Sequence, residues 1–321
     1  MEYVPVRVST LRGDQKIDFN AYVKINDKYI LYLRKGDSFE GTRLTRLKEK
    51  KLRKMFISNE EERMYRAYLS KNIEMAYDAK SGASIENRAA IVQGSQQSNT
   101  EEVMENPENK EAYDIAKDAA GRYVQFLTQE SQAFNQIMNI ENTDQSISHH
   151  GVTVSTLAVA LAKKLGVTDT KQTQLLTLGA LLHDFAHFHS TLNISRPLSQ
   201  FSSDDLTTYK KHPFDGGQKV QDKRHFDQTV INIIMQHEEC VDGSGFPQGL
   251  KESKIDPLAL IVGSANALDR LITFEKVKRN EAVKQLMLNS VGKYPLLHIQ
   301  SLGDIMKTLT PPPTAAPAPA T

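Results

Sequence analysis

The distribution of histidine constrains this chain more than any other feature. Eight of its nine histidines fall between His149 and His237, and one of them opens the dipeptide His183-Asp184. The dipeptide ends the apolar stretch Leu175–Leu182, which predicts a buried helix. Neutral imidazole and carboxylate are common donors for transition metals, and a carboxylate can bridge two ions. The pattern therefore indicates a metal site, with a dinuclear site conceivable.

Length and composition bound the kind of protein in which such a site would lie. A chain of 321 residues usually forms two domains and can bury a sizeable core. Its net charge of +1 gives no reason to expect nucleic acid or a membrane as a partner. The single cysteine, Cys240, excludes an intramolecular disulfide and fits a reducing compartment. There is no signal-peptide pattern at the start and no apolar run near the roughly 20 residues that span a bilayer, so we expect a cytoplasmic protein.

Short alternating runs of apolar and polar residues near the start of the chain predict β-strands. Asn26-Asp27 separates two of these runs and is typical of a hairpin turn. A further strand is predicted at Met55–Ile57, and Asn59 is predicted to cap a helix over Glu60–Leu69. We therefore interpret residues 1–95 as a small α+β N-terminal domain with a regulatory or partner-binding role.

The remainder of the chain is predicted to be mainly helical. Residues 96–110 are polar, contain few large apolar side chains, and are predicted to form a linker or long loop. Beyond them, apolar residues recur at spacings of three and four, which predicts core-facing helices over residues 111–309. The Pro/Ala-rich residues 310–321 are predicted to be a disordered tail. The expected fold class is mainly α, a helical bundle preceded by the small α+β domain.

Two motifs carry a resemblance to a known family. LLHDFAHFH resembles the HD-x-G-K signature of HD-GYP domains, and HEECVDGSGFP resembles their HHExxDGxGYP signature. The match extends from about His150 to Lys278 and includes the spacers between the motifs. The resemblance implies a helical HD-type bundle and a metal-dependent phosphodiesterase associated with cyclic di-GMP. Phe246 takes the place of the family's tyrosine, so the chain would be an unconventional member.

The resemblance also implies a set of metal ligands, which agrees with the donor chemistry of the histidine cluster. Asp184 would bridge two ions, with one pair of histidines on each. The pairs would be His150 with His183 and His212 with His237. Three other histidines are predicted to be ordinary core or surface residues: His149, His225 and His298.

Three positions depart from the family's metal-binding pattern. Glu238 stands where the family has a second histidine, and it could still ligate through oxygen. Asn266 stands where the family has an aspartate and is a weaker, neutral donor. Ser146 replaces the acid of trinuclear members. Histidine and carboxylate donors without cysteine suit iron or manganese at least as well as zinc, so we expect two divalent ions, iron or manganese.

Further departures concern side chains that would contact the substrate. His187 replaces the lysine of HD-x-G-K and, with Asp184, is a candidate catalytic residue. Phe246 keeps an aromatic ring and lacks the hydroxyl, while Glu275 replaces an arginine of the family's later Arg-Pro-Tyr-Lys segment. The candidate substrate-binding residues are Phe246, Lys278, Gly243 and Gly245, of which the glycines most simply serve the turns of their loop.

These observations leave three hypotheses for function. The first is a phosphodiesterase that hydrolyses cyclic di-GMP to the linear dinucleotide or GMP with metal-activated water. The second is a catalytically degenerate receptor or signalling scaffold that binds such a nucleotide without turnover. It is indicated by the donors lost at His187, Phe246, Asn266 and Glu275. The third is an interaction protein with metal-free histidines. By analogy, the N-terminal domain would bind a signalling protein, for example one of the GGDEF type.

Overall fold

A computed structural model describes residues 2–13, 15–50, 52–140 and 146–309. Its strands are β1 (Tyr3–Arg7), β2 (Ala21–Ile25), β3 (Lys28–Leu33) and β4 (Lys54–Ser58). They form one antiparallel sheet in the order β1-β4-β2-β3. The predicted hairpin turn is confirmed, since Asn26 and Asp27 both have positive φ, as a type I′ turn between two strands requires. The strand predicted at Met55–Ile57 is confirmed as the centre of β4.

Helices make up most of the described chain. They are α1 (Arg43–Glu49), α2 (Glu62–Tyr77), α3 (Ile85–Glu105), α4 (Lys110–Gln129), α5 (Ala133–Asn139), α6 (Ile147–Lys164), α7 (Thr170–Leu182), α8 (Ser203–Val220), α9 (Gln228–Gln236), α10 (Pro257–Thr273), α11 (Arg279–Asn289) and α12 (Leu296–Lys307). The mainly α architecture with a small α+β part at the N-terminus is as predicted. Within the described residues, no helix has both the length and the apolar character needed to cross a bilayer.

The prediction of a linker at residues 96–110 is wrong, because helix α3 occupies most of this segment. Gln97 is buried and donates a hydrogen bond to Ser146 Oγ at 3.1 Å. Glu101 is buried and accepts one from Ser148 Oγ at 2.7 Å. These side chains are polar, but their hydrogen-bonding groups find partners inside the protein. A prediction based on composition is therefore wrong here, because it assumes that a polar segment is a solvated loop when it is a buried helix.

The predicted ends of the second helix need correction, and the predicted tail lies outside the described residues. The helix predicted over Glu60–Leu69 is shifted, because α2 begins and ends later than these residues. Ser58 rather than Asn59 caps the 3₁₀ turn that precedes α2, since its hydroxyl accepts a hydrogen bond from the backbone of Glu60. Residues 310–321, the predicted disordered tail, lie outside the described residues.

A cluster of ion pairs attaches the sheet to helix α3. Arg7, at the end of β1, is buried, and its guanidinium contacts three carboxylates of α3. They are Glu101 at 3.3 Å, Glu102 at 3.2 Å and Glu105 at 2.6 Å. Helix α3 packs in turn against α6 and α4. The N-terminal sheet is therefore joined through α3 to the helices that carry the histidine cluster.

Helices α6 and α7 lie side by side in the helical part, and their apolar side chains belong to two hydrophobic clusters. The two backbones come close at Gly151, where an added Cβ would lie 2.7 Å from the main-chain oxygen of Leu181. Helix α6 carries His150, and His183 follows α7 directly. The glycine contact therefore helps to set the distance between these two histidines.

Replacing Gly151 with alanine should destabilise the protein by about 1–3 kcal/mol, because the added methyl group forces α6 away from α7. The free energy of unfolding in urea, followed by circular dichroism, measures the effect. Gly121→Ala in α4 is the matched control, because the new methyl group meets only the flexible side chain of Gln174, at 3.1 Å. The control should be neutral or stabilising by up to about 1 kcal/mol. Equal stability of Gly151→Ala and the parent would contradict a tight contact between α6 and α7.

Candidate metal centre

Four helices bring the predicted metal ligands together. His150 lies near the start of α6, and His183-Asp184 follows α7 directly. His212 lies inside α8, and His237 follows α9 directly. All five side chains are buried, with at most 3% of any residue exposed. The structure thus places together five residues that lie far apart in sequence, and their role as ligands remains a prediction to test.

Asp184 lies at the centre of the cluster, and its two oxygens face different pairs of imidazoles. Asp184 Oδ2 is 3.7 Å from His150 Nε2 and 3.5 Å from His183 Nε2. Asp184 Oδ1 is 3.2 Å from His212 Nε2 and 3.7 Å from His237 Nε2. This arrangement suits a carboxylate that bridges two ions, each held by two histidines.

Each imidazole is oriented by a hydrogen bond through its other nitrogen. Three Nδ1 atoms donate to the main-chain oxygen three residues earlier: His183 to Ala180 at 2.7 Å, His212 to Tyr209 at 2.6 Å and His237 to Ile234 at 3.0 Å. His150 Nδ1 instead pairs with Asp269 Oδ2 at 2.6 Å. Because a carbonyl oxygen only accepts, these Nδ1 atoms carry the hydrogen. The Nε2 lone pairs are then free on the side of Asp184.

The local backbone explains why these carbonyl oxygens are available. Helices α7 and α9 end shortly after Ala180 and Ile234, so their oxygens lie in last turns that lack amide partners. In α8 the residue after His212 is Pro213, which has no N–H. The oxygen of Tyr209 therefore lacks the amide partner it would otherwise have four residues later. The same local device orients three of the four rings.

The donor atoms of the cluster fit a metal ion better than they fit one another. Among the described residues, His183 Nε2 and Asp184 Oδ2 are buried without a hydrogen-bond partner. His212 Nε2 and His237 Nε2 are 2.9 Å apart. Two nitrogens that hold one ion at about 2.1 Å and at a right angle would be about 3 Å apart. Lone pairs facing each other at such distances repel, and a shared cation removes the repulsion. The residues present therefore fit divalent metal ions.

Two oxygen-bearing side chains lie beside the imidazoles, at the positions that depart from the family pattern. Asn266 Oδ1 is 3.0 Å from His150 Nε2, and Asn266 Nδ2 donates to Glu238 Oε1 at 3.3 Å. A carboxylate oxygen of Glu238 lies within 4.8 Å of ring nitrogens of both His212 and His237. Each half of the cluster therefore has one further oxygen donor within reach.

Burial fixes the protonation states of the cluster. It lowers the pKa of His183 to about 4 and the pKa of His187 to about 3, and it holds the pKa of His237 well below its usual value. Burial alone would raise the pKa of Asp184, but the neighbouring imidazoles of His183 and His212 outweigh it and leave that pKa well below the usual value. At neutral pH the imidazoles of His183, His187 and His237 are neutral and the carboxylate of Asp184 is ionised, which are the states that bind metal.

Two candidate substrate-contacting residues, His187 and Phe246, line the cluster. The His187 ring is 4.2 Å from that of His212 and stacks on Tyr209 at 5.6 Å. The Phe246 ring is 5.8 Å from that of Tyr209 and 6.2 Å from that of His212. Both side chains therefore lie on the same side of the centre, around His212.

The other three candidates act through the backbone or lie apart. Gly243 has a φ of +83°, and a Cβ at Gly245 would lie 2.3 Å from the backbone nitrogen of Cys240, so the loop requires glycine at both positions. Lys278 is exposed and precedes α11. Among the described residues, no hydrogen bond or ion pair joins Lys278 to the cluster. The structure therefore does not support the prediction that Lys278 binds substrate.

The three histidines predicted to lie outside the site are hydrogen-bonded elsewhere. Their partners are Gln93 and Ile140 for His149, Pro107 for His225 and Ser264 for His298. Sequence analysis missed three residues around the site. Asp269 and Arg270 are the two charged residues of the otherwise uncharged helix α10, and this signal could have revealed them. Tyr209 donates a hydrogen bond to Glu238 Oε1 at 2.5 Å, and nothing in the sequence distinguishes it from other tyrosines.

Comparison with known proteins agrees with this site. The model of the HD domain family matches residues 132–294. The solved structure of Bd1817, an HDG"Y"P protein from Bdellovibrio bacteriovorus, is 67% identical to this chain. It aligns over 95% of this chain and 100% of Bd1817, with a TM-score of 0.91. The chain therefore belongs to the HD domain family, and within it to the HD-GYP proteins, as a member with Phe246 at the position of the tyrosine.

Curated relatives are more distant. The cyclic di-GMP phosphodiesterase PdeB of Borreliella burgdorferi is 25% identical over 174 residues, which cover 48% of this chain and 45% of PdeB. The 3′3′-cGAMP-specific phosphodiesterase 1 of Vibrio cholerae is 26% identical over 149 residues, which cover 46% of this chain and 34% of that protein. The chain thus spans less than half the length of these relatives.

Replacing Asp184 with asparagine should release both metal ions, because the bridging charge is lost while the shape of the side chain is kept. Metal per chain, measured by elemental analysis after loading and gel filtration, should fall from about two to near zero. Asp222→Asn, which removes an exposed carboxylate paired with Lys223, is the control and should retain the parent value. Two ions per chain in Asp184→Asn would contradict the bridging role.

The metal-free protein should lose stability as the pH falls from about 6.5 towards 4. The buried histidines have a native pKa below the unfolded value of 6.5, so the unfolded chain takes up protons first as the pH falls. Their contribution is therefore complete above pH 6.5 and decreases below it. Because the pKa of Asp184 is lowered, its protonation changes the stability only below pH 3.8, the usual pKa of an aspartate. It therefore does not offset the loss caused by the histidines.

Thermal unfolding of the chelator-treated chain at a series of pH values measures this dependence. His183→Gln should show a weaker loss of melting temperature between pH 6.5 and 4, whereas the control His225→Gln should match the parent. A melting temperature that stays constant over this range would contradict neutral, buried histidines.

Proposed function

We propose that this chain is a cyclic-dinucleotide phosphodiesterase that uses two divalent metal ions and acts on cyclic di-GMP. The observation that carries the proposal is the position of Asp184, whose two oxygens face two separate pairs of imidazole nitrogens. PdeB is named for cyclic di-GMP and the Vibrio relative for 3′3′-cGAMP, which supports cyclic dinucleotides as the substrate class. Hydrolysis would give the linear dinucleotide or GMP.

The proposed ligands divide into two sets that share one carboxylate. They are His150, His183 and Asn266 for one ion and His212, His237 and Glu238 for the other, with Asp184 common to both. A pair of ions of this kind supplies Lewis acidity towards the phosphate and lowers the pKa of water. The donors are nitrogen and oxygen only, which favours iron or manganese.

The remaining residues keep these donors in place and in the right protonation state. The carboxylate of Asp269 accepts the Nδ1 hydrogen of His150, which leaves Nε2 of that ring unprotonated. The hydroxyl of Tyr209 donates to Glu238 and so fixes which carboxylate oxygen remains available. Both contacts act on proposed ligands without contacting the substrate, so these are positioning residues.

His187 and Phe246 differ in what they can offer the substrate. With a pKa of about 3, His187 is neutral at physiological pH, so it can exchange hydrogen bonds and supplies no positive charge to a phosphate. Phe246 presents a ring for packing or for stacking on a base and has no hydroxyl to donate. Catalysis by this site would therefore rely on the metal ions more heavily than on these two side chains.

The test is hydrolysis by the full chain loaded anaerobically with Fe²⁺ or, separately, with Mn²⁺. Cyclic di-GMP, 3′3′-cGAMP and cyclic di-AMP are offered in parallel, and the products are separated by liquid chromatography. We expect the linear dinucleotide or GMP from cyclic di-GMP, and no product from Asp184→Asn under the same conditions.

The outcome that overturns the proposal is the absence of product from a chain shown to hold two ions, while PdeB is active in the same buffer. Binding of cyclic di-GMP without turnover, followed by calorimetry over hours, would instead support the receptor or scaffold. Turnover of 3′3′-cGAMP alone would keep the reaction and change the substrate.

The partner of the N-terminal domain stays a prediction. Among the described residues, Arg7 of this domain pairs with Glu101, Glu102 and Glu105 of α3, which lie beyond residue 95. We keep the hypothesis that residues 1–95 bind a signalling protein, for example one of the GGDEF type. Co-purification of this chain with such a protein, lost when the sheet is disrupted, would test it.

A further inference from the structure

Arg270 is a buried cation at the metal centre whose donor groups lack partners. It lies in α10, directly after Asp269, and only 6% of the residue is exposed. Its Nε and Nη2 are buried and, within the part of the chain that the structure describes, donate to no acceptor. Buried polar groups almost always have partners, so two unpaired donors on one guanidinium call for an explanation.

Two aromatic rings hold the guanidinium beside the histidines. Its carbon lies 5.0 Å from the centre of the Tyr209 ring and 5.1 Å from the centre of the Phe274 ring. The Tyr209 ring is 4.9 Å from the ring of His212, and the Phe274 ring is 4.9 Å from the ring of His150. The guanidinium is thus held between rings that contact one histidine from each half of the cluster.

The surrounding charges keep Arg270 protonated without pairing with it. Burial lowers the pKa of Arg270, but Tyr209, Glu238 and Asp184 outweigh burial and leave that pKa raised. Even so, no carboxylate of the described residues accepts a hydrogen bond from Nε or Nη2. A role as counter-ion to Glu238 or Asp184 would explain why Arg270 is charged. It would not explain why Nε and Nη2 have no acceptor.

Among the described residues, no other lysine or arginine lies over the rings of Tyr209 and Phe274. Lys278, the other candidate cation for the substrate, is exposed. The carboxylates of Asp184, Glu238 and Asp269, with Arg270, leave the site with two negative charges. Two divalent ions would change this to two positive charges, which favours an anionic ligand.

We propose that Arg270 binds a phosphate group of the ligand through the two parallel N–H groups at Nε and Nη2. This edge of a guanidinium matches two oxygens of a phosphate, whereas a lysine ammonium offers only a point charge. The inference rests on the proposed function for the identity of the ligand, a cyclic dinucleotide. The chemistry that Arg270 recognises is the phosphate oxyanion itself.

The test is calorimetric titration of inorganic phosphate into the full, manganese-loaded chain at fixed ionic strength. Arg270→Gln should weaken phosphate binding by about ten- to a hundredfold, which is the range for loss of a charged hydrogen-bonding group. Arg270→Lys keeps the charge and loses the paired geometry, so it should weaken binding by about five- to tenfold. Both variants should retain two ions per chain. Elemental analysis and melting temperature are measured on each.

Arg122→Gln is the matched control. Arg122 belongs to α4, and its guanidinium also lies over an aromatic ring, 4.2 Å from the centre of the Tyr77 ring. Unlike that of Arg270, this guanidinium is paired with a carboxylate, that of Glu74. This variant removes the same charge and should bind phosphate as the parent does. If Arg270→Gln does not fold, Arg270→Lys decides: a loss of about fivefold or more supports the proposal, and parental affinity overturns it.

The outcomes separate this inference from the proposed function. Two results would overturn the role of Arg270, whatever the chain hydrolyses. The first is a parent chain that binds no phosphate. The second is a pair of variants that keep both ions and bind phosphate as the parent does. A parent chain that turns over no cyclic dinucleotide, yet loses phosphate affinity in Arg270→Gln, supports the phosphate contact and rejects the proposed function. A purely structural counter-ion would be recognised by a lower melting temperature in Arg270→Gln, full rescue by Arg270→Lys and unchanged phosphate affinity in both.

Discussion

The interior of the helical domain is organised around Asp184, a buried carboxylate that faces four imidazole rings. A carboxylate without water is costly unless its neighbours compensate the charge. Here the four rings turn lone pairs rather than N–H groups towards Asp184, because three Nδ1 hydrogens are donated to main-chain oxygens of their own helices and that of His150 to Asp269. An ionised carboxylate has no hydrogen to donate, so it satisfies none of these lone pairs. Divalent cations are the partners that fit both the number and the sign of these donors.

The scaffold around this carboxylate depends on close packing of helix backbones. Gly151 allows α6 to approach α7, and a similar contact occurs at Gly263 of α10, where an added Cβ would lie 2.5 Å from the main-chain oxygen of His237. Two glycines thus control how near the helices that carry His150, His183 and Asn266 come to the rest of the site. The polar helix α3 completes one side of the bundle, since its buried side chains bond to the residues around the start of α6.

The positions that depart from the family pattern are physically connected. Glu238 accepts hydrogen bonds from Asn266 and from Tyr209, and the ring of Tyr209 faces both Arg270 and Phe246. A carboxylate at Glu238 adds a half-buried negative charge, and Arg270 lies close enough to offset it electrostatically. The substitutions at Glu238, Asn266 and Phe246 are therefore connected through contacts with Glu238 and Tyr209 and are not independent losses. This coupling is a physical reason to expect that restoring a single family residue would disturb its neighbours.

The sequence by itself identified the histidines and the aspartate that cluster, the helical class of the domain and the hairpin at Asn26-Asp27. These features depend on residue type and on short-range spacing, which a sequence displays directly. The sequence could not reveal that residues 96–110 belong largely to a buried helix, because hydrogen bonds to distant residues decide whether a polar side chain can leave water. It also could not reveal the roles of Tyr209 and Arg270. Tertiary structure decided those, because only the packing of α8 and α10 against α9 brings a tyrosine ring, a guanidinium and the histidine pairs together. Burial there makes the interactions between their charges stronger than they would be in water.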